Sequence, residues 1–164
     1  YGPSDPSPAP EAAGGCAPAT LYGVSKLADE GIARVYAAES GLPSIGLRPY
    51  VVYGPGRDQG MTSGPTLAML AAARGEPYAI GYSGVAQYDF APDVARALVT
   101  AAHSGARTAA VYNVPGAIAP IAAVVARIQA VVPGAEITFD GPPLPFPPWP
   151  GRDRQPGLHG RLRC

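Results

Sequence analysis

From Leu21 to about Ser40 apolar residues return every three or four positions (Leu21, Val24, Leu27, Ala28, Ile32, Val35), and Gly41-Leu42-Pro43 follows as a stop. That period predicts an amphipathic helix, with Thr20 placed to cap it. The pattern then changes to a short β-branched and aromatic run, Ser44 to Tyr53, closed by Gly54-Pro55-Gly56, which predicts a buried strand ending in a turn. A second helix is predicted from Thr66 to Arg74, ended by Gly75 and Pro77. Two extended runs, Tyr78–Tyr82 and Gln87–Phe90, flank a Ser83-Gly84 turn. Pro92 suits a first helical turn, so Asp93 to His103 reads as a helix with Val94, Leu98 and Val99 on one face. Val111–Val114 reads as a strand, Ile118–Val132 as a helix and Glu136–Phe139 as a last strand. Helices alternating with short apolar strands predict an α/β fold with a largely parallel sheet.

The two ends lack any such period. Residues 1–19 are dominated by Pro, Ala, Gly and Ser and read as a loop approaching the first helix, while the proline-crowded stretch after Phe139 predicts polyproline-like extension or disorder. The 164 residues are 47% hydrophobic, enough for one domain with a core.

Charge narrows the partners. Residues 1–150 carry eight basic and eleven acidic side chains, and four arginines gather in 151–164. Nothing in the body forms the basic stripe that a phosphate backbone needs, so nucleic acid is not an expected partner. No apolar run is long enough to span a bilayer and the first residues do not read as a signal peptide, so no membrane partner and a cytoplasmic location are the default expectations. Cys16 and Cys164 alone imply neither a disulfide framework nor a metal site.

One feature carries chemistry. Lys26 is the sole lysine among twelve basic residues, and it stands four positions after Tyr22. Residues four apart on a helix share a face, so an ammonium group can lie within several Å of a phenol. A nearby cation favours the phenolate and brings proton exchange closer to neutral pH, and an ammonium with three donors can also hold ribose hydroxyls. The plain alternative is that Tyr22 packs in the first turn of an amphipathic helix while Lys26 points to solvent.

The segment PATLYGVSKLADE resembles the P-x-S-x-Y-G-x-S-K-x-x-x-E signature of extended short-chain dehydrogenases/reductases, the NAD-dependent epimerase/dehydratase family. In register with it, RPYVVYGPGRDQG resembles that family's L-R-x-x-x-V-Y-G-P strand and turn. Tyr1-Gly2-Pro3 resembles the end of its V-Y-G segment, and Asp93-Val94-Ala95 the start of its D-V-A helix. The resemblance covers residues 1 to about 148. It implies the C-terminal half of a Rossmann-like α/β fold, with residues 1–60 the end of the dinucleotide domain and 61–140 a small substrate-binding α/β region; composition, not the resemblance, makes 141–164 a Pro/Arg-rich, disordered tail, and from Trp149 on the chain departs from the family. The resemblance implies Tyr22 as catalytic acid/base and Lys26 as its electrostatic partner and ribose ligand, with Pro49 and Val52 near the nicotinamide of NAD or NADP. A homodimer through the helix that starts at Tyr22 is also implied, since Ala28, Gly31 and Ala38 permit close helix approach.

The departures matter as much. A glycine-rich dinucleotide turn between a strand and a helix is absent, so the isolated chain is expected to be inactive. The Ser or Thr that polarises the substrate carbonyl in the family would also precede residue 1; Thr20 and Ser25 read as a helix cap and a helix-surface serine. Val51 stands where sugar-nucleotide epimerases carry Asn, and Ala86-Gln87-Tyr88 where they carry Arg-Asp-Tyr. The expected small-molecule substrate is therefore a sugar, polyol or sugar acid. Arg57 is either its anion contact or an exposed turn residue, and Arg48, inside an apolar strand, is expected in a structural ion pair or cap. The alternative function is a catalytically silent remnant or regulatory module that keeps the fold.

Overall fold

The computed structural model describes residues 18–145. Their elements run α1 Leu21–Ser40, β1 Ser44–Arg48, β2 Val51–Tyr53, α2 Gly64–Arg74, β3 Tyr78–Ile80, β4 Val85–Phe90, α3 Ala91–Ala102, β5 Ala109–Asn113, β6 Ala117–Pro120, α4 Ile121–Val131 and β7 Ile137–Phe139. Helix α1 begins and ends where its pattern predicts. Thr20 Oγ1 accepts a hydrogen bond from Gly23 N at 3.0 Å, and Gly41 turns left-handed at φ +64° to stop the helix.

Strands β1 and β5 pair in parallel from Ser44↔Ala109 to Arg48↔Asn113. A second group sets β2 parallel to β4, with β6 antiparallel on the other edge of β4, and a third pairs β3 and β7 in parallel. The expected α/β architecture with mainly parallel pairing is what forms. Helix α1 lies against β1 and β5, and α3 packs on β1, β2 and β4. Among the described residues no helix is long and apolar enough to cross a membrane.

Three expectations need correction. The run Ser44–Tyr53 is not one strand: it breaks at Pro49-Tyr50, and its halves join different sheets. Pro49 has no N–H to give a ladder, so the break falls where backbone pairing must lapse. Residues 118–120, placed at the start of the last helix, instead belong to β6, and the helix begins at Ile121 after Pro120. A short apolar run continuous with a helix carries no period to separate the two. Finally, the chain beyond Phe139 is ordered at least to residue 145: Ser83 N donates to Pro142 O at 3.1 Å and Ser83 bridges Pro143. Tyr1-Gly2-Pro3, Cys16, Cys164 and the tail from residue 146 lie outside the described residues.

The core sits in one part of the molecule. Val51, Ala68, Ile80, Tyr88, Ile121 and Ile137 belong to a single buried cluster built from α2, α4 and the strands other than β1 and β5. Helix α1 contributes no buried residue, and every residue of β1 and β5 is only half-buried. The apolar positions that define α1, Leu21, Val24, Leu27, Ile32 and Val35, are exposed; the half-covered ones are Gly23, Glu30, Gly31, Ala33 and Ala37. Apart from Glu30, the half-covered residues are small and the large apolar ones are exposed, the reverse of what amphipathicity alone suggests.

Candidate active site

Tyr22 occupies the first turn of α1 and Lys26 the second. The ammonium lies 5.8 Å from the centre of the Tyr22 ring, within range of a cation–π contact. Both side chains are open, Tyr22 at 74% and Lys26 at 59%. The ammonium also donates to Asp29 Oδ2 at 2.9 Å. That hydrogen bond, then the charge of Asp29, hold the Lys26 pKa above its ordinary value, and Tyr22 adds a smaller effect in the same direction. Neither serine nor threonine nearby takes a catalytic position: Thr20 caps the helix, and Ser25 Oγ donates to Leu21 O at 2.9 Å.

One turn beyond Lys26, Glu30 receives both Nε and Nη2 of Arg48 at 2.7 Å. This is the structural ion pair expected of Arg48. Its bidentate geometry locks the end of β1 onto α1. Pro49, the next residue, is exposed, while Val52 in β2 is half-buried. The segment expected to face a nicotinamide thus leaves the sheet beside the helical turn that follows Lys26.

The substrate-side positions differ from one another. Val51 is 1% exposed and belongs to the core. Gly54 has φ +120°, and a Cβ there would come within 2.9 Å of the Phe90 ring, so the turn after β2 requires glycine. Arg57 folds back over its own loop, donating to Gln59 O and to Thr62 Oγ1, and is half-buried. Ala86 is buried within β4.

Two residues that the sequence reading passed over stand out in β4. Gln87 and Asp89 are buried, and Asp89 accepts hydrogen bonds from Tyr50 N and from Gln87 Nε2. Burial drives the Asp89 carboxyl above the usual carboxylate range, against the pull of those two donors. The only sequence signal was a pair of polar side chains inside a predicted strand.

The pattern of the NAD dependent epimerase/dehydratase family matches residues 1–114. The chain belongs to this family. Among solved structures similar to it, the GalE-like L-threonine dehydrogenase from Cupriavidus necator in its holo form is 27% identical with a TM-score of 0.74, 86% of this chain covering 48% of that one. A partial consensus L-threonine 3-dehydrogenase is 26% identical with a TM-score of 0.72, again over 86% of this chain and 48% of its own. MoeE5, in complex with UDP-glucose and NAD, is 27% identical with a TM-score of 0.71, over 88% and 50%. The chain therefore spans about half the length of these members of the epimerase/dehydratase fold. The comparison with curated proteins finds no match.

Proposed function

We propose that this chain is the C-terminal half of an NAD(P)-dependent oxidoreductase or epimerase in which Tyr22 exchanges a proton with a substrate hydroxyl or carbonyl and Lys26 supports it. The observation that carries this reading is the shared, open face of α1, with the Lys26 ammonium 5.8 Å from the Tyr22 ring. The donor set suits the nicotinamide end of the cofactor. An ammonium has three donors and Asp29 uses one, leaving two for ribose hydroxyls. When bound, the nicotinamide supplies the hydride chemistry. Tyr22 takes the hydroxyl proton as a substrate is oxidised and returns it on reduction, and Pro49 and Val52 wall the ring. The pyrophosphate end has no such fit, since the sequence holds no glycine-rich strand–turn–helix, so the isolated chain binds weakly and does not turn over.

For substrate, a small hydroxylated molecule such as a sugar, polyol or sugar acid fits better than a nucleotide sugar. Ala86 stands where an arginine would grip a diphosphate, Val51 is sealed in the core, and the Arg57 guanidinium is occupied by its own loop. In this reading Val51 supports the site from the core beneath it and Arg57 orders its own loop. The two L-threonine dehydrogenase structures agree with a small substrate, whereas the MoeE5 complex with UDP-glucose is the counter-example. The outward apolar face of α1 supports a homodimer of the full-length protein.

In the full-length protein, Tyr22→Phe should lower kcat by about 10²-fold or more with KM little changed, and Lys26→Ala should raise KM for NAD. Unaltered turnover in Tyr22→Phe, with NAD binding retained, would favour the silent-module alternative. Turnover by the isolated chain would refute its proposed inactivity.

A further inference from the structure

The chain passes from the first sheet to the second twice, and both passages meet at one place. The first runs from Arg48 at the end of β1 to Val51 at the start of β2; the second runs from Asn113 at the end of β5 to Ala117 at the start of β6. Val114 N donates to Arg48 O at 3.1 Å, so the two passages lie against each other. Both are then tied to β4 by side chains. Tyr50 N donates to Asp89 Oδ2 at 2.5 Å. Gln87 Nε2 donates to Asp89 Oδ1 at 2.9 Å and to Val114 O at 2.8 Å.

This clasp is an expensive way to fill space. Asp89 is 2% and Gln87 4% exposed, and withdrawing an amide and a carboxyl from water carries a penalty that apolar residues of similar size avoid. The surroundings are shaped to it as well. A Cβ at position 116 would lie 1.9 Å from Asp89 Oδ1 and 2.6 Å from Tyr88 O, so the backbone of Gly116 rests directly on the clasp and admits no side chain. What the polar pair adds over an apolar one is direction. It fixes one backbone N–H in the first passage, that of Tyr50 within the segment leaving β1, and one carbonyl in the second, that of Val114, whose own N–H is bonded to the end of β1.

We propose that Gln87 and Asp89 are positioning residues for the segment Pro49–Val52, setting where it stands relative to the substrate-side sheet β2-β4-β6. The proposal rests on the reading of Pro49 and Val52 as the nicotinamide wall. Neither side chain reaches cofactor or substrate; they act through the backbone of Tyr50 and Val114.

The chain itself can be tested by isotope-labelled NMR. The unaltered chain should show a coupling across the hydrogen bond between the Tyr50 amide nitrogen and the Asp89 carboxyl carbon, with slow exchange of the Tyr50 amide; absence of both overturns the proposal without any variant. In Asp89→Asn and in Gln87→Met, exchange at Tyr50 and Val114 should speed up about tenfold or more while the core amides of Ile80 and Ile137 keep their rates. Equal acceleration at all four sites would mark the pair as ordinary stability residues and overturn it. In the full-length protein Gln87→Met should raise KM for NAD about tenfold with kcat within about twofold, because a displaced wall weakens binding before it disturbs proton transfer; an unchanged KM overturns the positioning role. Tyr22→Phe leaves the Tyr50 and Val114 amides untouched, so the clasp and the catalytic reading fail separately.

Discussion

Lys26 can be observed singly because the sequence holds no other lysine. Its ammonium is shared between a carboxylate at 2.9 Å and an aromatic face at 5.8 Å. Since Asp29 is the main cause of its raised pKa, Asp29→Asn should lower that pKa. Carbon-13 methylation would report it in one resonance, distinct from the N-terminal amine, which titrates near ~8. An identical titration in parent and variant would show that the ion pair is not populated. The folded value lies above the unfolded one, so the stabilisation from the raised Lys26 pKa is present at neutral pH and fades as pH rises past ~10. Tyr22 and Lys26 were legible in the sequence because helical spacing and a solitary lysine are local facts. Asp29, Gln87 and Asp89 were not: whether a polar side chain is solvated, paired or buried depends on what the fold brings opposite it.

At the level of elements, α1 was legible to the residue, with its cap and its glycine stop, because both signals are encoded within the helix itself. The division of Ser44–Tyr53 between two sheets was foreshadowed by Pro49 yet not determined by it, since strand partners such as Ala109 and Tyr88 lie far along the chain. One link from α1 to β1 is the Glu30–Arg48 pair, whose side chains are about one-fifth exposed. A pair at that depth falls between exposed pairs and buried ones, so Glu30→Gln should destabilise the chain by about 1–3 kcal/mol. Chemical denaturation would measure this. A change below about 0.3 kcal/mol would mean that α1 is held by its small-residue contacts instead.

On the scale of the whole molecule, the buried cluster and the candidate site occupy different regions. The core lies around α2 and α4, and Tyr22 and Lys26 lie on the helix that has no buried residue. Periodicity predicted an apolar face on α1 without being able to say what covers it; in the structure that face turns away from β1 and β5. If a second copy covers it in the full-length protein, sedimentation should give twice the monomer mass. Leu27→Glu together with Ile32→Glu should then halve it, while a species that stays monomeric before the change would rule the dimer out.

The absence of any buried side chain in α1 has a kinetic meaning. Most of a helix's stability comes from the face it packs, and α1 packs only half-covered residues against β1 and β5, so local opening should reach α1 before it reaches α2 or α4. The phenol and the amine proposed for chemistry therefore ride on a helix that should open before α2 and α4, and whatever docks against that helix also decides how long the pair stays assembled.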